Sequence, residues 1–140
     1  MRPTFGLAYK PSPKIGTALR WGLTMPYKRG DVVLVLFPDS NLRTAKRRPA
    51  LIIQGNTLNT GLAQNIVAMI TSNMTRSGHP SRVALVRNSI QGRESGILMD
   101  SVVMTDNLAT IREMEIDRTI GNVSDTSEID RALRHTLGLT

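Results

Sequence analysis

The chain has 140 residues, enough for one domain with a hydrophobic core and too few for two ordinary ones. It has no cysteine, which excludes disulfides, thiolate metal sites and a cysteine nucleophile, and its two histidines lack ligand-like spacing, which argues against a zinc centre. The net charge of +7 is unevenly placed: residues 1–30 carry six basic residues and no acid, whereas residues 31–140 carry 12 basic and 11 acidic ones.

Residues 1–24 are cationic, rich in Pro and Gly, and show no clean period. They read as a flexible basic arm, with residues 25–140 as the folded domain. An upstream extension, a nucleic-acid-binding arm and an organellar transit peptide are the other readings of this segment. The apolar runs "VVLVLF" and "IVAMI" fall far short of the roughly 18 residues of a membrane-spanning helix. There is no continuous apolar region of secretory type at the N-terminus. The expectation is a soluble, cytoplasmic protein that does not enter a membrane.

From Gly30 onward, short apolar runs alternate with turn residues. "DVVLVLFP" predicts a strand stopped by Pro38, and "RRPALIIQG" a second ended by Gly55. "NTLNTGLAQN" reads as a loop, "IVAMITSN" as a third strand, "MTRSGHPS" as a loop and "RVALV" as a fourth strand. "NSIQGRESG" reads as a loop and "ILMDSVVM" as a fifth strand. "DNLATIREMEID" is open between strand and turn-and-strand. Runs of this length, rich in Val and Ile, predict a mainly β domain in the form of a small antiparallel barrel. In "SDTSEIDRALRHTLGL", the positions Ile129, Ala132, Leu133 and Leu137 fall at helical spacing. Asp125 and Glu128 have the spacing of a capping box, and Gly138 suits the C-terminal stop.

Three places hold candidate chemistry. The first is "RTAKRRPALII", with Arg43, Lys46, Arg47 and Arg48 ahead of a proline and an apolar run. Pro49 restricts Arg48 to an extended backbone, so Arg48 is expected on a stiff strand start and residues 43–47 on a flexible loop. A fixed guanidinium can grip a phosphate with two hydrogen bonds and keeps its charge. The same residues also suit a solvated loop that keeps a strand edge soluble. The second is "ITSNMTR", where Thr71, Ser72, Asn73, Thr75 and Arg76 cluster at a strand end. Such a set can hold a phosphate or read a base edge, and it is also ordinary turn chemistry. The third is Asp100 inside "ILMDSVV". An acid there must face outward or find a partner, and Arg48 is one possible partner.

The order "KRGDVVLVLFP", "RRPALII", "IVAMITSN", "SGILMDSVVMTDNLATI" and "RTIGNVSD" before a final helix resembles the MazF/PemK family of toxin endoribonucleases. The resemblance runs from about Tyr27 to Leu139. It implies an SH3-like barrel of antiparallel strands with a C-terminal helix, working as a homodimer. It implies metal-independent, cofactor-free cleavage of single-stranded RNA, and neutralisation by a cognate antitoxin. The catalytic set implied is Arg48, Thr71 with Ser72 beside it, and Asp100. Arg43, Lys46, Arg47, Asn73 and Arg76 would border the RNA. This chain departs from the family pattern in its outer polar groups. Leu42, Arg43 and Thr44 stand where many members carry a Glu-Gln pair, sometimes preceded by His, and Leu98 and Ser101 stand where some carry Arg and Gln. The alternatives are a barrel that binds RNA or DNA without cutting it, and a toxin of the same fold that binds a protein such as a topoisomerase.

Overall fold

The computed structural model of the chain describes residues 27–38, 41, 43 and 45–140, so the expected arm at residues 1–24 lies outside the described residues. Among the described residues, six strands and two helices follow in chain order. They are β1 (Asp31–Pro38), β2 (Ala45–Ile52), β3 (Gln64–Thr71), β4 (Arg82–Leu85), α1 (Ile90–Ser95), β5 (Ser101–Arg112), β6 (Ile116–Asn122) and α2 (Ser127–Leu137). A single 3₁₀ turn, Glu113–Glu115, joins β5 to β6.

The mainly β class, the antiparallel pairing and the C-terminal helix are as the sequence leads one to expect. The strands form one sheet in the order β4-β5-β3-β2-β1-β6. Among the described residues β4 and β6 stand at opposite edges, so the sheet is open where a closed barrel was expected. Two regions read differently from the sequence. The segment read as a loop contains α1, capped by Ser89 Oγ, which accepts from Gly92 N–H, and ended by Gly96 at φ 77°. The fifth strand starts only at Ser101, then runs through the ambiguous segment to Arg112.

Strand alternation divides the apolar residues between the two faces of the sheet. One face carries Val32, Leu51, Ala68, Ile70, Val83 and Val103, and α2 lies on it through Ile129 and Ala132. The other carries Val33, Val35, Ala50, Ile52, Val67, Met69, Ile111 and Ile116. Each fully buried aliphatic side chain of this kind contributes about 1.5–3 kcal/mol. β3 is buried on both faces along residues 67–70, which is why "IVAMI" is a continuous apolar run.

The start of α2 is capped differently from the expected box. Asp125 Oδ1 accepts from Ser127 N–H at 3.0 Å, while Glu128 turns to Arg131 at 3.1 Å. Gly138 closes the helix in the left-handed conformation, as expected. The helix is also tied to the start of the sheet. Arg29 Nε donates to the Ile53 carbonyl at 3.1 Å, Nη1 to Thr126 Oγ1 at 3.1 Å, and Nη2 to Asp130 Oδ1 at 2.5 Å. Among the described residues no helix is long and apolar enough to cross a membrane.

Candidate functional site

The site is built where β2 and β3 part. β2 pairs with β1 without irregularity from Val32–Leu51 to Pro38–Ala45. Its ladder with β3 covers only Ala50–Met69, Leu51–Ala68 and Ile52–Val67. Pro49 has no N–H to donate, and the β2–β3 ladder begins at the next residue. The half of β2 ahead of Pro49 therefore has β1 as its ladder partner on one side and an open mouth on the other.

Arg48 and Thr71 both stand at that mouth. Counting on two residues along each strand from Ala50–Met69 reaches Arg48 and Thr71, two positions beyond the last pair of the β2–β3 ladder. Both share the face of Ala50 and Met69, because alternate residues of a strand point the same way.

Arg48 is exposed, and its side chain has no hydrogen bond or ion pair among the described residues. Thr71 is half-buried, and its Oγ1 accepts from Asn73 N–H at 3.1 Å. The hydroxyl proton of Thr71 finds no acceptor among the described residues. Asn73 Oδ1 in turn accepts from Thr75 N–H at 3.0 Å and Thr75 Oγ1 at 2.6 Å. These contacts form a local turn that fixes the backbone after β3. Ser72 is exposed beside it, as is Arg76, whose side chain is unpaired among the described residues. Arg43 is exposed, and its backbone N–H is held by Asn41 Oδ1 at 2.9 Å.

Three placements differ from the sequence expectation. Lys46 and Arg47 belong to β2, paired in register with Phe37 and Leu36, where a flexible loop was expected. Arg47 faces away from Arg48, and its Nε meets Asp117 Oδ2 at 3.3 Å. Asp100 is exposed just ahead of β5, outside any apolar strand, and its Oδ1 accepts from Arg87 N–H at 2.8 Å. No ion pair joins Asp100 to Arg48. Counting outward from Thr71–Val102 puts Asp100 opposite Asn73, one row beyond Thr71.

Asp117 was not singled out in the sequence, because its segment carried no clean alternation. The signal available was an acid between Ile116 and a basic residue in a β-rich stretch.

A groove of about 510 Å³ lies elsewhere, along β4 and α2, and shares no residue with the candidate set. Its arginines are engaged: Arg131 with Glu128, and Arg82 with both oxygens of Asp106 at 2.9 and 3.2 Å. Burial raises the Asp106 pKa, but the hydrogen bonds and charge of Arg82 outweigh it and hold the carboxyl below its ordinary value. His79 and His135 meet edge to face with ring centroids 6.3 Å apart. No group of three or more His, Asp or Glu is placed to hold a metal among the described residues.

An exposed guanidinium and an alcohol on one face, with further cations on the flanking loops, form an arrangement suited to a phosphodiester. Comparison with known proteins points to the same chemistry. Residues 28–137 match the family described as PemK-like, MazF-like toxin of type II toxin–antitoxin system. The chain is 36% identical over 107 residues to endoribonuclease MazF2 of Mycobacterium bovis, covering 74% of this chain and 90% of that protein. A solved mycobacterial endoribonuclease in complex with its cognate antitoxin is 25% identical, with a TM-score of 0.61 over 81% of this chain and 97% of the other. The MazE–MazF complex of Deinococcus radiodurans shares the fold, with a TM-score of 0.63 at 20% identity over 81% of this chain and 98% of the other.

Proposed function

Because the chain belongs to the PemK-like, MazF-like toxin family of type II toxin–antitoxin systems, we propose that it is an endoribonuclease that cuts single-stranded RNA at the Arg48–Thr71 mouth. The observation that carries this reading is the unengaged Arg48 guanidinium on the same sheet face as Thr71.

RNA carries its own nucleophile. The 2′-oxygen attacks the neighbouring phosphorus, the bond from phosphorus to the 5′-oxygen breaks, and the products are a 2′,3′-cyclic phosphate and a 5′-hydroxyl end. Negative charge grows on the non-bridging oxygens during this step. Arg48 is assigned to those oxygens, where a fixed cation is worth more in the transition state than in the ground state. Thr71 donates its hydroxyl proton to the same phosphate, with Ser72 beside it, and so holds the phosphorus in line for attack. Asp100 Oδ2, the oxygen not used on Arg87, is assigned to take the 2′-proton through a water. The 5′-oxygen takes a proton from a water as it leaves, Arg48 keeps its charge on the phosphate oxygens, and the proton accepted at Asp100 returns to solvent. Arg43, Lys46, Asn73 and Arg76 border the path of the strand and supply phosphate and base contacts.

The functional unit is proposed to be a homodimer acting on mRNA in the cytoplasm. A cognate antitoxin with an acidic and apolar segment, ordered on binding, would cover the same cations and compete with RNA. The antitoxin-bound relative supports this reading.

The test uses end-labelled single-stranded RNA in EDTA. Cleavage that yields cyclic phosphate, and that stops when a 2′-deoxy nucleotide replaces the one at the cut, is the expected result. Equal cutting of the deoxy substrate would refute the chemistry. RNA binding without any cleavage would favour an inert barrel, and neither binding nor cleavage would favour a protein target.

A further inference from the structure

Arg47 and Arg48 are neighbours of identical chemistry, and strand alternation sends them to opposite faces of β2. Arg48 faces the mouth. Arg47 reaches across β1 to β6, where its Nε meets Asp117 Oδ2 at 3.3 Å. The Asp117 side chain is only 4% exposed, and that of Arg47 is 22% exposed. A carboxylate so far removed from water requires a cation or strong donors.

Asp117 occupies a special place in β6. Leu34 of β1 pairs with Arg118, and the next residue, Val35, pairs with Ile116. Asp117 is thus the extra residue of a β-bulge. A bulge re-aims a side chain and bends its strand, and it is a local departure from regular pairing. Here its result is a buried acid turned toward the strand two places away. Val35, at the edge of the bulge, is itself the cross-strand partner of Arg48.

The half of β2 that bears Arg48 lacks ladder bonds to β3. That half-strand is held by backbone pairing on one side only, by β1. The Arg47–Asp117 bond ties this half-strand to a third strand through a side chain.

We propose that Arg47 and Asp117 are positioning residues that hold Arg48 in register at the mouth. The inference rests on the nuclease reading above. It gives Arg47 a role distinct from the RNA contact that the sequence suggested.

The test compares steady-state kinetics of RNA cleavage for wild type, Asp117→Asn, Arg47→Lys and the charge-swapped double variant Arg47→Asp with Asp117→Arg. Misplacing a reacting group by about 1 Å can cost on the order of a hundredfold in rate. Asp117→Asn should lower kcat by roughly tenfold to a hundredfold with KM nearly unchanged, because Arg47 lies on the face turned away from the mouth. Arg47→Lys keeps the charge and loses the planar fork, so kcat should fall to an intermediate level. The swapped pair should recover kcat relative to Arg47→Asp alone.

Thermal melting of each variant separates loss of folded protein from loss of rate. If activity per folded molecule is unchanged in Asp117→Asn, or in Arg47→Lys should the first variant not fold, the positioning role is wrong while the nuclease reading stands. A rise in KM at constant kcat on Arg47 substitution, with no recovery in the swapped pair, would place Arg47 on the RNA and overturn the proposal. A wild type that cuts no RNA would overturn the nuclease reading, and the positioning role with it.

Discussion

On the face that Arg48 and Thr71 share, the guanidinium makes no hydrogen bond or ion pair among the described residues, and the hydroxyl keeps its proton free while accepting from Asn73 N–H at 3.1 Å. Groups left unengaged in this way are ready for a ligand. Arg48→Ala should lower kcat by about a hundredfold to a thousandfold, the cost typical of losing one charge-stabilising donor. Arg48→Lys should recover only a small part of that, since an ammonium cannot reproduce a two-pronged contact. Initial rates on a labelled oligonucleotide, with each variant's fold checked by circular dichroism, decide the matter; wild-type kcat in Arg48→Ala would remove Arg48 from the chemistry.

Thr71 has two duties that substitution can separate. Thr71→Ser keeps both the acceptor for Asn73 and the donor for phosphate, and should stay within about tenfold of wild-type kcat. Thr71→Val keeps the shape, loses both, and should fall by about a hundredfold. If Thr71→Val and Asn73→Ala lose rate equally, the turn accounts for the effect and direct donation to phosphate does not.

The Arg29 knot should govern stability and leave chemistry alone. Arg29→Ala removes three hydrogen bonds that join the β1 lead-in, the end of β2 and α2. The expected loss is about 1–3 kcal/mol, read from the urea midpoint at unchanged slope, because the knot is partly exposed and solvent screening keeps its bonds well below their buried worth. Cleavage per folded molecule should remain at the wild-type level.

The Arg82–Asp106 pair carries a pH dependence. Against the raising effect of burial, the Asp106 carboxyl is held below the usual aspartate value of 3.8 in the folded protein, chiefly by its bonds to Arg82. A depressed carboxyl contributes stability that is fully present above its unfolded pKa and is lost as pH falls through the folded value. Asp106→Asn should therefore lower the melting temperature at pH 7, and the gap to wild type should close as pH falls through the depressed carboxyl value. A gap that persists at low pH would show that the side chain acts through packing rather than charge.

Much of the fold was readable along the chain. Runs of Val and Ile bounded by Gly and Pro marked the strands, and the spacing of Ile129, Ala132 and Leu133 marked α2, because these patterns are set by local backbone period. The pairs "RP" and "TS" located the candidate residues for the same reason: each is a local signal at a strand boundary. α1 was not readable. Its Gly92 suggests a loop, yet a Cβ there would lie 1.8 Å from the Val86 carbonyl oxygen, so the helix depends on a close approach visible only in three dimensions. The open strand order was likewise beyond the sequence, since it depends on pairing between segments far apart in the chain.

The cations show the division most sharply. In the sequence Arg29 belongs to an acid-free stretch, and Arg47 and Arg48 stand side by side with equal charge. Composition and pattern alone determined that a mainly β domain would carry a basic cluster beside a proline-started strand. Only the tertiary structure decided which charges are spoken for: Arg29 by Asp130, 101 residues away, Arg47 by Asp117, 70 residues away, and Arg48 by none among the described residues. Charge is a property of the residue, but pairing depends on distance, and those distances are fixed by which strands and helices come together.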